Sequence, residues 1–302
     1  MQNMHLKMHF FIYFILIIAI KSSLSQNNEL EDICDCNCDL GISVIEHLNT
    51  KLDSLQEVVK QIQADNIRLQ TEQKSQRLPT NCLEAAAGSF KSGVYTIKHE
   101  RFAKDPFRVW CDEDTDFGGW IVIQRRVNAD VDFYRDWQQY KQEFGNLSGN
   151  YWIGLEKLHA LTASCEQELY IKLETFAGKE YFAKYDLFVI GSEEQDYVLR
   201  TVGNFKGNAG DYFKLHEGQK FSTFDRDNDK HPEYNCAEKY KGAWWHSSCY
   251  WSNLNGDYSQ KNNGQGVTWN GIKKLESLKF AQMMIRPIEK CMRRLSIINS
   301  LH

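Results

Sequence analysis

Between Phe221 and Gly256 the chain places Asp225, Asp227 and Asp229 at alternate positions, a close cysteine pair at Cys236 and Cys249, and the step Trp244-Trp245. No helical or strand period fits the run, so it reads as a loop. Hard oxygen donors beside a covalent staple are the chemistry of a calcium-stiffened loop, and a stiffened loop is a good place to hold a ligand. The run is not an EF-hand. Counted from Asp225, the sixth position is Lys230 instead of glycine and the twelfth is Cys236 instead of glutamate. Acidic runs also occur as solvated turns, and the spacing alone leaves both readings open.

Other chemistries find little support. The sequence contains no GxSxG, HExxH or P-loop motif. Its histidines are scattered, and His159 and His216 read as structural or surface residues. The formal net charge of −4 gives no nucleic-acid surface, and Arg293-Arg294 is too short to form a basic patch. The chain is expected not to be an enzyme.

The elements that must position the loop follow from patterning. Residues 1–25 read as a secretory signal peptide: Lys7 is basic, Phe10 to Ile20 is an apolar run, and Ser23 and Ser25 precede the expected cleavage. The run ends at Lys21, short of the roughly 20 residues of a membrane span. Nine cysteines agree with an oxidising compartment, so the chain is expected to be secreted and extracellular. Cys34, Cys36 and Cys38, in residues 26–41, are too close to bridge one another easily and are expected to link chains. Over 42–78, Ile45, Leu52, Val59 and Asn66 fill the a positions of a heptad seam, and Leu48, Leu55, Ile62 and Leu69 fill d. This pattern predicts a parallel coiled-coil homo-oligomer, a dimer or a trimer. Aromatic residues are missing between Gln26 and Arg77 and dense after Asn81, which places a domain over 79–290 and a tail over 291–302.

Within the domain, Thr96-Ile97, Phe107 to Trp110, Trp120 to Val127, Leu169 to Phe176, Tyr181 to Phe188 and Lys279 to Arg286 read as strands. Asp132 to Phe144 and Gly154 to Leu161 read as helices. Regular structure thins after Leu199. The class is α+β, a mixed sheet with short helices and an irregular C-terminal lobe. Asn146-Leu147-Ser148 is an N-glycosylation sequon.

Particular runs carry a resemblance. Gly118 to Arg126 (GGWIVIQRR), Phe144 to Gly149 (FGNLSG), Trp152 to Thr162 (WIGLEKLHALT), Met284 to Pro287 and the acidic loop itself are similar to the C-terminal fibrinogen-related domain of fibrinogen chains, ficolins, tachylectins, angiopoietins and tenascins. The resemblance extends from about Thr80 to Pro287. It implies a fibrinogen C-terminal-like globular domain with Cys82 paired to Cys111 and Cys236 to Cys249. Cys165 and Cys291 lie outside the family pattern; an even remainder in a secreted domain favours a bridge between them, with interchain linkage open. The resemblance makes Asp227 and Asp229 ligands of Ca2+, with backbone carbonyls of His231 and then Glu233 or Tyr234, while Asp225 holds the loop by hydrogen bonds. It also implies a cis Ser248–Cys249 peptide at a pocket for acetylated glycans, bordered by His246, Ser248, Cys249, Tyr250 and Trp251. This chain lacks the aromatic residues that family members often carry between Trp269 and Lys279. A protein ligand recognised through the same loops is therefore the other expectation, as in a receptor ligand or matrix protein. No nucleic acid and no membrane span are expected as partners.

Overall fold

The computed structural model describes residues 38–76, 78–99 and 106–291. It divides into two units, Met1–Gln76 and Arg77–His302. The expected leader, Cys34 and Cys36, and all of the expected tail but Cys291 lie outside the described residues.

Among the described residues, the first unit consists of the helix α1 (Cys38–Gln76). Its sequence has no proline or glycine between Ile42 and Gln76, so nothing interrupts the hydrogen-bond ladder. Ile45, Leu48, Leu55, Ile62 and Leu69 of the heptad seam are exposed in the single chain. Among the described residues, no helix is long and apolar enough to cross a membrane.

The second unit begins with the short helix α2 (Cys82–Ala85), capped by the Asn81 side chain. Strands β1 (Gly93–Ile97), β2 (Phe107–Asp112) and β3 (Trp120–Arg126) follow. Then come α3 (Trp137–Lys141), the two-residue strands β4 (Phe144–Gly145) and β5 (Tyr151–Trp152), and α4 (Leu155–Ser164). Next are β6 (Gln167–Glu174), β7 (Glu180–Ile190), β8 (Leu199–Val202) and β9 (Phe205–Gly207). The irregular lobe carries α5 (Cys236–Lys239), β10 (Ser252–Asn253), β11 (Thr268–Trp269) and β12 (Lys273–Ser277). Strand β13 (Phe280–Pro287) closes the domain.

The main sheet runs β1-β2-β3-β13-β6-β7-β8, with β5 also paired to β3 and β9 to β7, and β10-β11-β12 form a second, small sheet. Every strand pairing among the described residues is antiparallel. The last strand thus inserts at the centre of the sheet, between β3 and β6. This explains the composition of β3, whose seven residues are all buried, whereas β6 alternates buried and half-buried positions in the manner of a strand with one core face.

The helix expected over Asp132 to Phe144 is reduced to α3. Asp136 ends the preceding extended segment as an N-cap: its Oδ1 accepts from Gln139 N at 2.8 Å, and Gln139 Oε1 accepts from Asp136 N at 3.2 Å. Asp132 Oδ1 accepts from Tyr134 N at 2.8 Å, which turns the chain before any helix can start. Helix α4 runs to Ser164, past the expected end, and buries Leu155, Leu158, Leu161 and Thr162.

Candidate functional site

The irregular lobe is held by polar side chains satisfying backbone groups, because there is little regular structure to do so. Ser222 and Trp244 exchange backbone hydrogen bonds at 2.9 and 3.2 Å. Asn228 Nδ2 donates to Phe221 O at 2.8 Å, and Asn235 Nδ2 donates to Thr223 O at 2.9 Å. Trp244 and Trp245 are fully buried, and Trp245 Nε1 donates to Tyr197 O at 2.8 Å. They are the floor of the loop and not its wall.

The three aspartates divide their work. Asp225 Oδ1 accepts from Trp137 N at 3.0 Å and from the Thr223 hydroxyl at 2.6 Å, which ties the loop to α3. Asp229 Oδ1 accepts from His231 N and Oδ2 from Cys236 N, both at 2.7 Å, and Asp227 Oδ1 accepts from Asp229 N at 3.2 Å. The Asp229 carboxyl is held above the usual aspartate range, first by burial and then by the adjoining Asp227 carboxyl, against the two backbone donors. Neither Asp227 nor Asp229 takes part in an ion pair among the described residues, and the neighbouring Arg226 turns instead to Asp196. Two carboxylates crowded together without a cationic side chain are the donor chemistry that suits a hard divalent cation. Among the described residues no three His, Cys, Asp or Glu side chains gather at one point, so further donors there would be backbone carbonyls. His231 Nδ1 accepts from Glu233 N at 3.3 Å and its ring stacks on Tyr234 at 3.5 Å, which fixes the turn that carries the two expected carbonyls.

This acidic turn is linked to the second cysteine in two ways. Asp229 holds the N–H of Cys236, which is disulfide-bonded to Cys249. Lys230 N donates to Ser247 O at 2.9 Å, next to the Ser248–Cys249 peptide, which is cis. Disulfides also join Cys82 to Cys111 and Cys165 to Cys291.

The expected pocket residues separate into two groups. Ser248 and Trp251 are exposed, Trp251 by 49%, with its ring 6.4 Å from that of Tyr212. Cys249 and Tyr250 are half-buried; the Tyr250 ring meets Tyr240 edge-on at 4.8 Å, and its hydroxyl donates to Gly264 O. Gly264 has φ +78°, and a Cβ there would lie 2.7 Å from the Tyr250 hydroxyl, so this contact needs glycine. His246 is placed in the interior instead. It is fully buried, with Nε2 2.8 Å from Gly242 O, and burial pulls its pKa down to about 4.

His216, for which the sequence suggests a structural or surface role, is structural, and it holds the backbone at Trp251 and Ser252 from within. It is fully buried; Nδ1 lies 2.8 Å from Trp245 O, and Nε2 accepts from Trp251 N at 3.2 Å and Ser252 N at 3.0 Å. That pattern requires the neutral Nδ1–H tautomer. Burial, the leading cause, lowers its pKa to about 3. Asn255 does similar work, donating to Ala243 O at 3.0 Å and accepting from Gln124 Nε2 at 3.1 Å. The small and polar residues Ser252, Asn253, Asn255 and Gly256 around Leu254 are the available sign that this backbone is bonded by side chains.

The profile of the family described as "Fibrinogen beta and gamma chains, C-terminal globular domain" matches residues 78–288. The chain belongs to the fibrinogen C-terminal domain family. Relatives in this family include mouse (Mus musculus) Fibrinogen C domain-containing protein 1, 42% identical over 219 residues, which cover 69% of this chain and 47% of the relative. Chicken (Gallus gallus) Tenascin-R is 42% identical over 212 residues, 69% of this chain and 15% of the relative. The chain thus matches about half or less of these relatives' length. Among solved structures, the fibrinogen-like globe domain of human ANGPTL2 superposes with a TM-score of 0.66 at 41% identity, over 69% of this chain and 99% of that one. Lamprey fibrin D-dimer complexed with the peptide Gly-His-Arg-Pro-amide gives 0.63 at 28% identity, over 89% and 94%.

Proposed function

We propose that this chain is a secreted, oligomeric, calcium-dependent recognition protein of the fibrinogen-related class, with no catalytic role, acting in innate immunity. Asp227 and Asp229 hold Ca2+ together with the carbonyls of His231 and Glu233. The ion supplies a compact positive charge that removes the repulsion between the two carboxylates. The segment from Ser247 to Trp251 then presents an acetylated glycan with its acetyl group at Ser248–Cys249 and its apolar face against Tyr250 and Trp251. The observation that carries this reading is the double tie from the acidic turn to that segment, through Asp229 to Cys236 and through Lys230 to Ser247. Ordering one orders the other, while His216 keeps the following N–H groups in place from behind.

One such pocket is weak, and avidity can add about 10²–10⁴ when several are linked. The exposed seam of α1 supports assembly of two or three parallel copies, with Cys34, Cys36 and Cys38 linking them before the helix.

A second reading is recognition of an extracellular protein through the same loops. Burial of His246 favours it, since a histidine wall is then missing, as does the exposure of Leu215, Phe224 and Leu275 in the lobe. Capture on acetylated albumin and on untreated albumin separates the readings. The first reading expects capture on acetylated albumin alone, loss with chelator, and loss in Trp251→Ala. No capture on either surface by protein shown to be folded rejects the glycan reading and leaves the protein-ligand reading.

A further inference from the structure

Three apolar side chains from separate parts of the chain are brought to one place on the surface of the lobe. Trp251 and Leu215 are each 49% exposed, and Tyr212 is half-buried. Leu215 precedes His216, whose Nε2 accepts from Trp251 N, so the two exposed side chains stand on neighbouring, fixed backbone. Tyr212 is seated by the turn after β11. There Trp269 Nε1 donates to Ala209 O at 2.9 Å, and Asn270 N donates to Trp251 O at 3.0 Å. A Cβ on Gly271 would lie 2.3 Å from Cε2 of the Tyr212 ring, so the ring rests directly on that glycine. The Tyr212 and Trp251 rings are then held 6.4 Å apart at an interplanar angle of 49°.

A single exposed hydrophobic residue needs no explanation, but a group held together by buried anchors does. These rings are placed before any ligand arrives, so little rotamer freedom is lost on binding. The charged groups around them are already matched. Lys214 pairs with Glu217 at 3.4 Å beside Leu215, and Lys273 pairs with Glu276 at 2.8 Å after Gly271. The platform is therefore suited to a neutral occupant. It is also shallow and open to water, so a purely apolar ligand would stay largely wet there. A pyranose ring has C–H groups on one face and hydroxyls around its edge. It can cover the aromatic surface while its hydroxyls remain in water.

We propose that Tyr212, Leu215 and Trp251 form a subsite for a second, neutral sugar unit, so that the lobe takes a glycan of at least two pyranose rings. The inference rests on the glycan reading above, in which Trp251 borders the acetyl group at Ser248–Cys249. Tyr212 continues that aromatic surface past Trp251 and sets the preferred length of the ligand.

N,N′-diacetylchitobiose is the suitable probe, with N-acetylglucosamine as its single-unit counterpart. In ligand-observed NMR titrations of the full chain in calcium, wild type should bind the disaccharide about tenfold more tightly, the gain expected when one face of a sugar ring leaves water. That exceeds the doubling that two acetyl groups give by statistics. Tyr212→Ala should lose the gain and keep the affinity for the monosaccharide, and Tyr212→Phe should keep both. If folded wild type binds the monosaccharide and gains no more than the statistical doubling from the disaccharide, the subsite is overturned and the acetyl reading stands. Binding of neither sugar overturns both. A gain that survives in Tyr212→Ala, a gain lost in Tyr212→Phe, or an equal loss of the monosaccharide in folded Tyr212→Ala also overturns the subsite.

Discussion

His216 shows how a residue far from a loop in sequence can decide that loop's shape. Its ring serves three backbone groups, the carbonyl of Trp245 and the N–H groups of Trp251 and Ser252. His216→Ala strands all three in the interior, and each buried unpaired group costs roughly 1–3 kcal/mol. Urea unfolding should therefore show a loss of about 3 kcal/mol or more, and an unchanged midpoint would remove His216 from this role. The pH dependence has a definite sign. The folded His216 pKa is lowered to about 3, so between there and the unfolded value near 6.5 the unfolded chain binds the extra proton. Stability should fall as pH drops through that window, by up to about 1.4 kcal/mol per pH unit from this group, and His216→Gln should flatten the slope. The aspartates at 225, 227 and 229 were legible in sequence because alternate carboxylates are visible side by side. The work of His216 was not, since nothing near it in the chain states that it is buried and serves the N–H groups of Trp251 and Ser252, 35 and 36 residues away.

At the scale of elements, periodicity identified β3, β6, β7 and β13 well, because β-branched and aromatic runs suit a half-buried or fully buried strand. It overextended α3, where apolar spacing continued through Asp132 and Asp136 but their side chains bonded to local backbone instead. The two-residue strands β4 and β5 carried no period to detect. Their hairpin matters, because the turn between them bears the sequon. Asn146 is exposed there, and its Oδ1 accepts from Ser148 N at 3.0 Å and from the Ser148 hydroxyl at 2.9 Å. Protein secreted from eukaryotic cells should carry a glycan at Asn146; an unchanged mass after glycosidase treatment would contradict this. The heptad pattern of α1 is also plain in sequence, and Ile45, Leu48, Leu55, Ile62 and Leu69 are exposed in the single chain; the proposed oligomer would cover them with a second copy. Replacing Leu48 and Leu55 together by lysine puts charges at two d positions, and light scattering under reducing conditions should then report monomer where wild type gives a dimer or trimer.

For the molecule as a whole, the closure of the domain rests on its last strand and last cysteine. Strand β13 enters the middle of the sheet, and Cys291 then joins Cys165 at the end of α4, 126 residues earlier in the chain. A cross-link of that span restricts the unfolded chain by about 4–5 kcal/mol on the chain-entropy account. The double serine variant at 165 and 291 should lose a few kcal/mol in denaturant unfolding while keeping the other two bridges; no loss would mean that the pair adds nothing to the fold. The larger claim is that a cation at Asp227 and Asp229 sets the order of the recognition loop. A ligand that binds only the folded state stabilises it by RT ln(1 + [L]/Kd), about 2.7 kcal/mol at a hundredfold excess over Kd. Calorimetric melts of the secreted protein in calcium and in chelator test this directly. The account expects a higher melting temperature in calcium for wild type, no difference for Asp227→Ala or Asp229→Ala, and a reduced but present difference for Asp225→Ala. Identical wild-type melts in calcium and in chelator would contradict it and leave the acidic turn as a solvated one.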